Sequence, residues 1–429
     1  MRPNALRLPA VGWLLAAALS LGGCTHFQRD CPPSDLLAGE QLLDLSAEAD
    51  PTAGNERSNL LAALHHIKAN QPPPDPLARK YEVLALSGGG SYGAFSAGVL
   101  NGWTASGQRP MFDIVSGVST GALIATYAFL GPDYDSYLRD FYTSTSADDI
   151  YRMRHKPAVL WSVSAADSRP LEQLIESQVD CQLLAAVAQA HAQGRRLYVG
   201  TTNLDTGRLV IWDLSAIAAS GRPDAVALYR KVVLASASVP GFLPPVKIDV
   251  TVNGRSHTEL HVDGGTTAQV FFRASMLRLE PQQFAGGRRP LAGSNLYVIV
   301  AGKSYPDPKC VEPKALTIAA SSLGALTSAQ TRNELVRIYT LTLLTGMQFH
   351  MSAIPQHWPL NDDSMSFDRA EMQCLFDQGY RLSLAGQAWD EVPPVLDASE
   401  QSQPRAGTEF LAPPPMPVID CAELGAARR

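Results

Sequence analysis

Long basic runs, metal-ligand spacings and an internal membrane-spanning apolar stretch are all missing from this chain, and each absence removes a class of function. Lys and Arg number 35 against 41 Asp and Glu, a formal charge of −6, and no basic cluster offsets that balance. Nucleic acid is therefore not an expected partner. The spacings of the six cysteines fit no metal-ligand pattern, and neither a metal nor another cofactor is expected. Beyond the N-terminus no uninterrupted apolar run reaches bilayer length. Charged residues make up only 18% of the 429 positions, yet 45% are hydrophobic, which describes a globular chain with a sizeable core. No internal repeat is present.

The first residues are a targeting segment. Arg2 and Arg7 precede the apolar core "AVGWLLAAALSLG", which ends in Leu21-Gly22-Gly23-Cys24. Small residues followed by cysteine resemble the lipobox of bacterial lipoproteins, in which the thiol is acylated after cleavage. The expected product is anchored to a membrane through Cys24, and Thr25 in place of Asp favours the outer membrane by the same resemblance. Loss of residues 1–23, whose charged side chains are Arg2 and Arg7, would take the charge from −6 to −8. Cys31, Cys181, Cys310, Cys374 and Cys421 remain, an odd number whose pairing the spacing does not name.

Residues 24–80 read as a tether, with proline breaks at "CPPSD" and "NQPPPDP" around one amphipathic helix containing His65 and His66, a solvated pair. The main domain is expected over 81–393, where short apolar strands alternate with helices, the pattern of a mostly parallel sheet covered on both faces. The segment from Ala315 to Met351 has helical periodicity, and a last helix is expected from a capping box at Asp368 to about Trp389. Residues 394–429 are Pro-rich and expected to be flexible.

Two glycine-containing motifs carry the chemistry. Gly88-x-Gly90-x-x-Gly93 follows the strand "YEVLAL", and read literally it is a dinucleotide fingerprint. Asp113 lies at the right distance for the ribose acid. It stands, however, at the start of the strand "FDIVSGV", whereas the nucleotide crevice lies at the carboxyl end. That end holds Gly117-Val118-Ser119-Thr120-Gly121, a G-x-S-x-G elbow between a strand and a helix. Bare glycine amides beside a serine nucleophile suit the oxyanion of an acyl-transfer intermediate. A base is offered by Asp263, followed by Gly264 and Gly265 after the strand "TELHV". Histidine remains an alternative. His350 and His357 are the histidines after Asp263, placed in or just past the long helical segment, and His261 shares a strand face with Asp263 as a partly exposed side chain.

"LALSGGGSYGAFSAGVL", "SGVSTGAL" and "HVDGGT" together resemble the three signature blocks of patatin-like phospholipases, with "TTNLDTGRLVIWDL", "ASASVPGFLPPV" and "FDRAEMQCLFDQGYRLSLAGQAW" as further family-like segments. The resemblance implies a three-layer α/β/α domain and a Ser–Asp dyad without histidine. By position, Ser119 is the nucleophile, Asp263 the base, and Gly88, Gly89 and Gly90 the oxyanion amides. Gly93, Gly117, Gly121, Gly264 and Gly265 complete the motifs. It implies a lipid ester substrate, phospholipid or lysophospholipid. Tyr92 departs from the family, many members of which carry Arg or Lys there. The alternatives are an esterase or thioesterase with a Ser-Asp-His triad, and a non-catalytic lipid-binding lipoprotein. The oligomeric state is not legible.

Overall fold

The computed structural model describes residues 66, 79–155, 161–277, 289–361 and 363–396. The targeting segment, Cys24, most of the tether and the tail beyond 396 lie outside the described residues. Of the tether, His66, helical and exposed, and the exposed Arg79 and Lys80 are described. Two compact units are distinguished, one containing residues 307–324 and the other most of the chain. Of the first unit, residues 307–324 include Cys310, which is disulfide-bonded. Its partner lies outside the described residues, because Cys181 and Cys374 are free thiols.

Strand β1 (Glu82–Leu86) leads through the glycines into helix α1 (Gly93–Ala105). Strand β2 (Ile114–Gly117) and helix α2 (Thr120–Leu130) repeat the pattern. Helices α3 (Asp135–Ser144) and α4 (Ala147–Ile150) follow, then a two-strand ribbon of β3 (Arg152–Met153) and β4 (Ala166–Asp167). Helices α5 (Arg169–Gln178) and α6 (Cys181–Ala192) precede strands β5 (Arg196–Asn203) and β6 (Arg208–Asp213). Next come α7 (Leu214–Ala219), α8 (Ala225–Ser236), β7 (Val246–Val252) and β8 (Arg255–Asp263). The described chain closes with β9 (Asn295–Val300), α9 (Ala315–Thr345), β10 (Gln348–Ala353) and α10 (Arg369–Leu384).

The sheet runs β10-β9-β1-β2-β5-β8-β7, with β6 also paired to β5. The pairs from β10 through β5 are parallel, and β6, β8 and β7 join antiparallel. Strand alternation divides the core. Leu84 and Leu86 enter one buried cluster with Phe95, Leu100, Ile124 and Phe376. Val83 and Ala85 enter another with Leu335, Ile338 and Leu343 of α9. Helices on both faces of a mostly parallel sheet make the expected three layers.

Helix α1 is buried on nearly every side. Its outer face meets α10 at very short range: a Cβ on Gly98 would lie 2.0 Å from the Phe376 carbonyl oxygen, and one on Gly102 2.2 Å from that of Tyr380. Only glycine permits that approach.

Three sequence expectations change. The helical segment does not reach Met351: α9 stops at Thr345, Gly346 turns at φ +84°, and 348–353 form edge strand β10. Phe349 and Met351 point into the core in the two-residue period of a strand, too short a pattern to separate from the helix before it. Helix α10 ends at Leu384, short of Trp389, with Gly386 at φ +71° just past its end. The strand read as "TELHV" is one arm of a longer hairpin, in which Asn253 and Gly254, both at positive φ, link β7 to β8.

Candidate active site

Ser119 occupies the turn from β2 into α2 at φ 55°, ψ −125°. A non-glycine residue there stores about 1–3 kcal/mol of strain, so something must hold it. The Ser119 N–H donates to Ser236 Oγ at 3.0 Å, and Ser236 Oγ donates to the Gly200 carbonyl of β5 at 2.7 Å. The flanking glycines are required by contact. A Cβ on Gly117 would lie 2.3 Å from the Gly121 oxygen, and one on Gly121 2.6 Å from the oxygens of Leu86 and Ser87.

Strand register places Asp263. Strand β6 follows one edge of β5 from Tyr198 to Asn203. On the other edge β2 pairs up to Gly117 opposite Val199, and β8 takes over with Asp263 opposite Thr201. Asp263 thus fills the position beside β5 that β2 leaves when the chain turns at Ser119. Its backbone N–H donates to the Ser238 carbonyl at 2.8 Å. One carboxylate oxygen accepts the Gly265 N–H at 2.7 Å, and the Ser119 side chain is close enough to favour the charged form. Burial pushes the Asp263 carboxyl up to about 6, against the opposing pull of Ser119 and the Gly265 amide. No cation pairs with it among the described residues. Gly264 lets the turn close, since a Cβ there would meet the Gly200 oxygen at 2.4 Å.

The glycine loop passes over the serine. A Cβ on Gly88 would lie 3.2 Å from Ser119 Cβ. The expected set of three oxyanion amides is reduced here: Gly88 donates its N–H to the Gln269 carbonyl at 2.9 Å, so that amide is engaged. Gly89 and Gly90 stand at φ 155° and 56°, and their N–H groups have no protein acceptor among the described residues. A Cβ on Gly89 would come within 1.9 Å of the Ala301 oxygen. Over Gly90 lies Ser364, whose carbonyl accepts the Ser91 N–H at 2.8 Å. The Tyr92 hydroxyl donates to the Asn361 carbonyl, so this residue ties the loop to 361–364 where a family lysine or arginine would present charge. Gly93 seats α1 against α2 and α3, because a Cβ there would meet Thr120 Oγ1 at 2.3 Å and the Tyr142 hydroxyl at 2.7 Å.

Histidine is not part of this arrangement: among the described residues none hydrogen-bonds Ser119 or Asp263. His350 lies on edge strand β10, stacked on Tyr297 at 4.8 Å, at the height of Leu84 and below the strand ends. His357 is exposed on a turn. His261 is fully buried, contrary to the expected partial exposure, with Nδ1 2.9 Å from Thr201 Oγ1 and Nε2 3.0 Å from Glu259. Asp113 sits at the opposite end of the sheet, accepting the Glu82 N–H at 2.9 Å. One strand length, about 13 Å, separates it from the glycine loop.

Ser236, Ser238 and Gln269 are absent from the sequence reading. The segment "ASASVPGF" holds both serines, but nothing in it signals that one side chain bonds the Ser119 amide while the next carbonyl bonds that of Asp263. Gln269 braces the Asp263 turn, its Nε2 donating to the Gly265 carbonyl at 2.8 Å.

Residues 84–275 match the family model described as patatin-like phospholipase. The chain carries a patatin-like phospholipase domain. The domain is of the lipid acyl hydrolase class, and the matched stretch contains the glycine loop, the elbow and the Asp263 turn. Strands β9 and β10 fall beyond it but complete the same sheet. No curated protein matches the chain. Among solved structures the chain is similar to VipD from Legionella pneumophila, at 11% identity over 73% of each chain and a TM-score of 0.34.

Proposed function

We propose that the patatin-like domain hydrolyses carboxylic esters of phospholipid or lysophospholipid through a Ser119–Asp263 dyad. The observation that supports this best is the buried Asp263 carboxyl, placed by strand register beside the Ser119 turn and close enough to feel its side chain, with no histidine bonded to either among the described residues. In the first step the Ser119 hydroxyl attacks the ester carbonyl and passes its proton to Asp263. The N–H groups of Gly89 and Gly90 stabilise the oxyanion, each donor typically worth about 10²–10³ in rate. Collapse expels the alcohol, which takes the proton from Asp263, and leaves an acyl-Ser119 ester. Water, deprotonated by the same carboxylate, then releases the fatty acid and restores the serine. Burial helps here, because a carboxyl raised to about 6 is a stronger base than an ordinary aspartate.

Ser119→Ala is expected to lower esterase turnover by a factor on the order of 10³ or more, and to abolish labelling by a fluorophosphonate. Unchanged turnover on a short acyl ester would sink the dyad. Failure of the unmodified chain to label would favour a lipid-binding lipoprotein, and a thioester preference in substrate profiling would favour a thioesterase.

The lipobox-like Leu21–Cys24 supports a second reading, that the chain is exported and acylated at Cys24 in the bacterial outer membrane, which would hold the enzyme near its substrate. Radiolabelled palmitate should enter the unmodified protein and not Cys24→Ala; equal labelling of both would refute that anchor.

A further inference from the structure

Met153 of β3 and, in the segment leading into β4, Trp161 and Val163 reach into solvent, at 61%, 91% and 73% exposure. Tryptophan is ordinarily among the more buried side chains, so an almost bare one flanked by two aliphatic neighbours is unusual. The charge around it runs against that of the whole chain. Arg152 is exposed and Arg154 half-buried, and among the described residues neither is in an ion pair, though Arg154 also acts on Asp167. Of the nearby acids, Asp167 is held by Arg169 at 2.6 Å and Asp149 by Ser146, with Arg369 at 3.7 Å. Asp148 remains as an opposing charge.

The ribbon is fixed beside the active site by its backbone. Ala165 and Ala166 donate to the carbonyls of Gly241 and Phe242 at 2.9 and 2.8 Å, on the segment whose Ser238 carbonyl holds Asp263. The Tyr151 hydroxyl donates to the Met365 carbonyl at 2.8 Å, next to the Ser364 that lies over Gly90. The base of the ribbon is therefore tied to both segments that border the site.

We infer that this ribbon is a docking surface for a phospholipid bilayer carrying anionic headgroups, bringing Trp161 to the headgroup level beside the mouth of the site. Tryptophan prefers that interfacial depth, aliphatic side chains reach below it, and the exposed Arg152 guanidinium meets the anionic surface. The inference rests on the lipid-ester reading above, so its test must not depend on turnover.

The probe is the full chain on vesicles of phosphatidylcholine and phosphatidylglycerol brominated along the acyl chains, with tryptophan fluorescence as the readout. The chain has 6 tryptophans, so the diagnostic quantity is the difference between the unmodified protein and Trp161→Phe. Because an acylated Cys24 would hold both proteins on the membrane, that difference reports the ribbon alone. Bromine quenching is expected in the unmodified protein and in Ser119→Ala, with the Trp161 component lost in Trp161→Phe and weakened without phosphatidylglycerol. Equal quenching with and without Trp161 overturns the inference and leaves the surface to a protein partner. A Trp161→Ser/Val163→Ser variant is expected to cleave vesicle lipid about tenfold more slowly while retaining its rate on a soluble short-chain ester. Quenching that persists in a chain without lipid esterase activity would preserve the surface and discard the enzymatic reading.

Discussion

Two aspartates at opposite ends of one sheet have opposite surroundings. Asp113, at the amino end of β2, accepts the Glu82 N–H and meets Arg79 at 3.1 Å, so its carboxylate has a donor and a partly exposed cation. Asp263, at the carboxyl end of β8, is 5% exposed and has the Gly265 amide and the nearby Ser119 but no cation among the described residues. Asp113 staples two strand ends together. Asp263 is held at a cost in desolvation, and in the proposed dyad that cost is what strengthens it as a base. The difference lies in what the sheet brings beside each carboxyl, since the residue type is the same.

The sharpest way to break this comparison is Asp263→Asn. Loss of the base is expected to lower kcat/KM by on the order of 10²–10⁴. In the unmodified protein kcat/KM should rise with pH through about 6, as the carboxyl of the free enzyme ionises. The stability effect runs the other way. The folded carboxyl titrates above its unfolded value of 3.8, so the folded state binds more protons between pH 3.8 and about 6, and stability falls as pH rises across that window. Asp263→Asn, which has no charge to bury, should therefore unfold at higher temperature than the unmodified protein at neutral pH. The gap should be on the order of 3 kcal/mol and close by about pH 4. A variant less stable at every pH would contradict the buried-carboxylate account.

Ser236→Ala tests the clamp that separates the two ends. It leaves the Ser119 N–H buried without an acceptor, at about 1–3 kcal/mol, and relaxes the strained elbow. The expected result is a roughly tenfold fall in kcat at unchanged KM, with a lowered melting temperature. A loss of stability with kcat intact would reduce Ser236 to a packing role. The smallest effect belongs to Asp113→Ala: about 1 kcal/mol of stability from the lost Glu82 contact, and no change in kcat. Activity loss there would mean that the amino end of the sheet matters to the chemistry.

Legibility followed locality. The elbow, the glycine loop and the Asp263 turn were readable because each is a short backbone requirement. Gly117 and Gly121 must let the chain double back within a few residues, and Gly89 must take a φ near +155°. Even there the reading overreached, because the engagement of the Gly88 amide comes from Gln269, far along the chain. Strand β10 was misread since its few alternating residues adjoin a helix of 31 residues, and only pairing with β9 makes them a strand. Ser236 was missed because hydroxyls in helices commonly bond their own turn, and nothing local says that this one reaches Ser119.

The sequence by itself determined the sheet-and-helix alternation, the glycine turns and the residue types capable of acyl transfer, because those depend on side-chain period and backbone permissiveness over a few residues. The tertiary structure decided which of those residues meet. It put Asp263 beside Ser119 by ending both β2 and β8 on the same edge of β5, and it excluded His350 by setting it on an outer strand. The physical reason is that strand register and burial are properties of the whole sheet. The proposed base depends on that sheet removing water from one carboxyl and, among the described residues, setting no cation beside it.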